Sequence, residues 1–145
     1  MGDHFSVRVG VRSYEVDVNG HVNHANYHRY GEHARSEHLG AAGCSMTRMV
    51  EHGMGIVLLE THVRFLRELR YGDEVDVDSR LAFGSGKTFE MNHTLRRCGN
   101  DAEPDVVAAE ITCRMGMLDA AARRLLPDPR GQLLRIATDA SLLGS

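Results

Sequence analysis

The residues best suited to chemistry lie in one run, Asp17-Val18-Asn19-Gly20-His21-Val22-Asn23-His24-Ala25-Asn26-Tyr27. A carboxylate, Asp17, precedes a glycine turn at Gly20, and a helix-like stretch follows to about Leu39. Asn23 suits the cap of that helix, and the first-turn N–H groups of any helix point outward with partial positive charge. A base or nucleophile would then stand beside donors able to hold a developing oxyanion, which is what addition to an acyl carbonyl needs. Asp17 could equally hold its loop as an Asx turn. Asn19 and Gly20 suit the turn itself, since both tolerate positive φ.

His21 and Asn23 could touch an acyl group, order a water or make structural hydrogen bonds. Five of the nine histidines fall between His21 and His38. His24, His28 and Glu32 follow at i, i+4 and i+8 and could share a helical stripe, but His-Glu-x-x-His is absent and no third ligand is evident. Solvated or interfacial side chains account better for them, and no metal is expected. Glu32 is read as an ion pair with Arg35 or Arg29.

Five segments alternate apolar and polar residues with period two, the mark of antiparallel strands dry on one face. Val7, Val9 and Val11 share a face in the first segment. The second sets Val57, Leu59, Val63 and Phe65 against Glu60, His62 and Arg64. Val75, Val77 and Leu81 mark the third, Phe89, Met91 and Leu95 the fourth, and the odd positions from Val107 to Met117 the fifth. Gly72, Gly84-Ser85-Gly86 and Gly99-Asn100 separate the last four. The helix from Asn23 to Leu39 is expected to present Tyr27, Tyr30, Gly31, Ala34 and Ala41 to the dry face. A shorter helix is expected at Ser45–Glu51. The class is α+β: a curved antiparallel sheet of five or six strands wrapped around one long central helix.

The chain of 145 residues is read as a single domain over 1–126 and a C-terminal tail over 127–145, with a short helix near Gln132–Thr138. With 17 Lys+Arg against 20 Asp+Glu the net charge is −3, which gives no support for a nucleic-acid partner. No apolar run reaches the ~20 residues of a membrane span. Met1-Gly2-Asp3-His4 lacks the basic and apolar start of a signal peptide. The three cysteines are widely spaced, so a reducing, cytoplasmic setting is expected. Cys113 falls on a dry strand face, whereas Cys44, after Gly43, is expected to be exposed.

The run at Asp17 closely resembles the signature of hotdog-fold acyl-CoA thioesterases of the 4-hydroxybenzoyl-CoA thioesterase type. There an aspartate, a glycine turn, an Asn-x-x-Tyr and a Glu-x-x-Arg follow in order. Here these are Asp17, Gly20, Asn23 or Asn26, Tyr27, and Glu32 with Arg35, and the likeness extends over roughly residues 5 to 120. It implies hydrolysis of an acyl thioester, carried by coenzyme A or an acyl carrier protein, without metal or organic cofactor. Asp17 would be nucleophile or general base, and the backbone N–H near His24 the oxyanion donor. Gly20, His21, Val22, Asn23, Asn26 and Tyr27 would shape the substrate site, with Glu60 helping to frame it. Lys87 would meet the carrier's phosphates, often from a neighbouring subunit, as Arg64, Arg67 and Arg70 could. The resemblance further implies a homodimer or homotetramer with sites at subunit boundaries. Two other activities stay open: a hotdog enoyl-CoA hydratase, and a non-catalytic acyl-thioester-binding module.

Overall fold

A computed structural model describes residues 5–144. The Met1–His4 start, read above against a signal peptide, lies outside the described residues. In chain order the elements are β1 (Phe5–Gly10), a 3-10 turn (Ser13–Glu15), α1 (His24–Ala41), α2 (Met46–Glu51) and β2 (Met54–Phe65). Then come β3 (Glu74–Phe83), β4 (Thr88–Arg97), β5 (Val106–Asp119), β6 (Arg124–Leu125), α3 (Pro129–Leu134) and a 3-10 turn (Ala140–Leu143). The sheet runs β1-β3-β4-β5-β2, with every pair antiparallel and β6 added to β5. This is the expected α+β hotdog architecture, with α1 packed against β1, β3, β4 and β5.

The period-two reading holds in β3 and β4 and in β5 from Ala109 onward, where register stacks like on like. Before that Arg96 lies opposite Val107, so Ala108 is an extra residue and Val107 leaves the face expected of it. Val77 lies opposite Leu95 and Leu95 opposite Ala109, while Met91 lies opposite Cys113. All five are buried, and α1 lays Tyr27, Tyr30, Gly31 and Ala34 on that face. At Gly31 helix and sheet approach closely. A Cβ there would stand 3.0 Å from Ile111 Cδ1 and 3.3 Å from His93 Cδ2.

Two other parts of that pattern need correction. Leu58 lies opposite Met115 and Glu60 opposite Arg114, so Leu59 is the extra residue of a β-bulge. A bulge inverts the phase of everything beyond it. Val63 and Phe65 therefore share a face with Ile56 and Leu58, whereas Val57 and Leu59 do not, and on this outer strand Leu58 and Phe65 stay exposed. On the helix, Ala41 is exposed and His38, one turn after Ala34, takes its place in the buried stripe.

His38 is buried because both ring nitrogens find partners: Nδ1 meets Ser79 Oγ at 2.8 Å and Nε2 meets the Leu142 carbonyl at 2.6 Å. The second contact belongs to the stretch read as a tail, which packs into the core. Leu133, Ile136 and Leu143 are buried there, the Thr138 N–H bonds the Ala42 carbonyl at 2.8 Å, and Arg48 Nη2 bonds the Ile136 carbonyl at 2.6 Å. Cys44, expected to be exposed, is sealed beneath this segment with its Sγ 3.5 Å from the Leu133 carbonyl. Gly43, at φ +87°, has no room for a side chain, since a Cβ would overlap the Thr138 backbone.

Candidate active site

The loop between β1 and α1 is built as a tight turn that delivers the helix start. Gly20 N–H bonds the Asp17 carbonyl and Asp17 N–H bonds the His21 carbonyl, each at 2.9 Å. Gly20 takes φ +78°, a conformation that glycine adopts without strain. Asp17 Oδ1 accepts from Asn19 N–H at 2.9 Å and His21 N–H at 3.3 Å. The Asx-turn role is thus real, yet the residue is exposed and lines a cleft.

Glu15 anchors this loop to the body of the protein. It is buried, and its carboxylate accepts from Arg12 N–H at 2.9 Å and from Tyr30 Oη–H at 2.8 Å. Its carbonyl accepts from Asn23 N–H at 3.0 Å and Asn26 Nδ2–H at 3.1 Å. Burial, and then the Glu15 carboxylate, hold the Tyr30 hydroxyl in its neutral form by raising its pKa well above the usual tyrosine range. The sequence reading missed Glu15; its one signal is the spacing from Arg12, in which a glutamate reaches back to an N–H three residues earlier.

At the start of α1 the donors are shared unevenly. Asn23 Oδ1 takes the Ala25 N–H at 2.9 Å, and the Asn23 carbonyl takes that of Asn26 at 3.0 Å. The N–H of His24, the first helical residue, makes no bond to any other described residue. Across from it runs the segment after β2. Tyr27 stands edge-on to Phe65 with ring centroids 5.0 Å apart, and its Oη accepts from Leu69 N–H at 3.2 Å. Burial raises the Tyr27 pKa as well.

Between these two walls lies a cleft of about 340 Å³. Asp17, His21, Val22, Asn23, His24 and Tyr27 line one side, and Phe65, Leu66, Arg67 and Glu68 the other. Six of the residues singled out from sequence therefore converge. Glu68, which sequence reasoning did not single out, contacts His21 Nε2 through Oε2 and lies 3.2 Å from Arg70.

The other candidates lie elsewhere. Gly20 serves the turn, and Asn26 is buried beneath the loop with its Oδ1 3.2 Å from Arg29. Glu60 stands on the outer face of β2, 3.5 Å from Arg114. Glu32 is exposed and 3.9 Å from Arg35, the ion pair expected of it. Lys87 sits in the exposed β3–β4 turn. Its neighbour Thr88 pairs with Gly116 whereas Phe65 pairs with Ala109, which puts Lys87 about 23 Å along the sheet from the cleft of its own subunit.

Residues 11–136 match the family model described as the thioesterase-like superfamily. A putative esterase from Aquifex aeolicus is 36% identical over 89 residues, 61% of this chain and 70% of its own length. The chloroplastic acyl-acyl carrier protein thioesterase ATL3 of Arabidopsis thaliana is 32% identical over 111 residues, 77% of this chain and 58% of its own length. The crystal structure of Slr0204, a 1,4-dihydroxy-2-naphthoyl-CoA thioesterase from Synechocystis, superposes with a TM-score of 0.80 over 97% of this chain and 96% of its own. At 15% identity that likeness speaks for the fold. With the family match spanning most of the sequence and the hotdog sheet beneath it, the chain belongs to the thioesterase-like superfamily and is a thioester hydrolase.

Proposed function

We propose that the chain hydrolyses acyl thioesters in the cleft between Asp17 and Phe65, with Asp17 as base or nucleophile and the His24 N–H as oxyanion donor. One observation carries this reading: Asp17, with its exposed carboxylate, and His24, whose helix-start N–H is unbonded among the described residues, line the same cleft. In the general-base route Asp17 takes a proton from water, the resulting hydroxide adds to the carbonyl carbon, and the oxyanion is held by the His24 N–H. The C–S bond then breaks, releasing acid and thiol. In the nucleophilic route Asp17 attacks directly, and water hydrolyses the anhydride formed. Tyr27 and Phe65 supply an apolar wall for the acyl group.

The carrier arm common to coenzyme A and acyl carrier protein is the part the cleft must recognise. ATL3 is named for the protein carrier and Slr0204 for coenzyme A, so both are proposed as carriers. The working unit is proposed to be a two-fold dimer, alone or as half of a tetramer, joined along β2. That strand is one of the two edges of the sheet, exposes Leu58, Leu59 and Phe65, and ends at the cleft. A partner joined there would help wall the site, and Lys87 could serve carrier phosphates only across such a boundary. Cytoplasmic residence belongs to the same reading; no helix among the described residues is long and apolar enough to cross a membrane.

The test is thiol release from matched acyl-CoA and acyl-carrier-protein thioesters, with enoyl-CoA hydration as control. Turnover of at least one thioester supports the reading. Hydration without hydrolysis overturns it, and binding without any turnover leaves the non-catalytic module.

A further inference from the structure

His21 and Glu68 form a side-chain pair inside the cleft that the thioesterase reading does not use. They come from different walls, His21 from the loop before α1 and Glu68 from the segment after β2. The backbones are held in register by an isolated antiparallel bridge between His21 and Arg70. The imidazole Nε2 is in contact with Glu68 Oε2, and Arg70 Nη2 steadies the other carboxylate oxygen at 3.2 Å. His21 is also fixed to the first catalytic candidate, since its N–H bonds Asp17 Oδ1 at 3.3 Å. Its side chain is 40% exposed, and Nδ1 has no partner among the described residues.

Breaking a thioester makes a demand that Asp17 does not meet. The leaving group departs as a thiolate, and an alkyl thiolate is a basic anion that gains from a proton as the C–S bond lengthens. A base that has just accepted a proton from water stands on the attacking side of the carbonyl, away from the sulfur. Among side chains, imidazole is the one suited to give and retake a proton near neutrality, and a carboxylate on one nitrogen fixes its tautomer and orientation.

Resting on the thioesterase reading, we propose that His21 is the proton donor to the leaving sulfur and that Glu68 is its positioning residue. Water gives one proton to Asp17 and its oxygen to the carbonyl carbon. The C–S bond breaks with its electron pair on sulfur, and the imidazolium of His21 passes its Nδ1 proton to that sulfur. The protonated Asp17 releases its proton to solvent and His21 regains one from solvent, so the net reaction is thioester plus water to acid plus thiol. In the nucleophilic route the same donor acts in the first half-reaction.

The experiment compares kcat/KM for one acyl group on two leaving groups, coenzyme A and thiophenol, in the native chain and in His21→Gln, Glu68→Gln and Asp17→Asn. A thiophenolate is a stable anion that needs no proton to leave. His21→Gln is expected to lower the ratio of alkyl to aryl turnover about hundredfold, the usual worth of a positioned acid. Glu68→Gln is expected to lower it less, with partial recovery in Glu68→Asp. Asp17→Asn is expected to depress both substrates and leave the ratio unchanged. If His21→Gln and Glu68→Gln reduce both substrates equally, the proton-donor role is overturned while the thioesterase reading stands. If the native chain turns over neither ester, both fall together. Should His21→Gln fail to fold, the ratio in Glu68→Gln decides alone.

Discussion

The Tyr30 hydroxyl donates to the Glu15 carboxylate at 2.8 Å, and both groups are buried, so α1 and the loop that carries Asp17 are joined through one charge-assisted bond. Such bonds contribute about 1.5–3 kcal/mol, and leaving a buried carboxylate short of a donor adds a desolvation cost. Tyr30→Phe is therefore expected to destabilise the fold by roughly 2 kcal/mol. Urea unfolding monitored by circular dichroism checks it, and a loss below about 0.5 kcal/mol would mean the bond contributes only what a solvated one does.

Asp17→Asn is expected to lower kcat about 10²–10⁴-fold with substrate binding retained, because the amide keeps the shape and loses the base. Glu32→Gln, which removes only an exposed partner of Arg35, is expected to change turnover less than threefold. Steady-state kinetics on one thioester decides between them. A reversed ranking would move the catalytic carboxylate onto α1.

Acid should weaken the fold through its buried imidazoles. His93 lies beneath Gly31 with Nδ1 3.1 Å from the Asp78 carbonyl, and burial pushes its pKa down to about 4. Burial lowers that of His38 too. The unfolded chain takes up these protons near pH 6.5 and the folded one only at lower pH. Stability is thus fully present above pH 6.5 and is lost as pH falls toward about 4. Urea midpoints at pH 7.5, 5.5 and 4.5 should decline, and His93→Gln should flatten part of that slope. An unchanged slope in the variant would show that carboxylates alone carry it.

Leu133→Ala is expected to cost about 2–5 kcal/mol, the range for a fully buried leucine, although the residue lies outside the cleft. Truncation after residue 126 should unfold the protein. Thermal melts check both, and a truncated chain with an unaltered melting temperature would show that the segment merely rests on the surface.

What the sequence disclosed, and what it hid, follows from where each partner lies. β3, β4 and β5 were legible because strands flank each of them and one face is dry, so apolar residues recur with period two over most of their length, from Val75 to Leu95 and from Ala109 to Met117. Leu59 was not, because a bulge is a property of the pairing with β5 rather than of β2 alone. The cleft's first wall was legible because Asp17 to Tyr27 is contiguous. Its second wall was only partly so: Phe65 and Arg67 stood out, but Glu68 acquires a meaning only once the fold sets it against His21. His38 and Glu15 were hidden for a related reason. Each is a polar residue in a dry place, made acceptable by partners such as Leu142 and Tyr30 that no local pattern announces.

The packing of Leu133, Ile136 and Leu143 around Cys44 and His38 also dictates when this molecule can finish folding. α1 is synthesised early, yet its buried histidine waits for Leu142, and β1 waits for β3 to pair with it. Until that segment is in place the apolar groove beside α1 stays unsealed, the condition under which incompletely folded chains aggregate or engage chaperones. Clipping of the last dozen described residues would reopen that groove in the finished protein. Activity would then be lost by a cut that removes none of the residues lining the cleft.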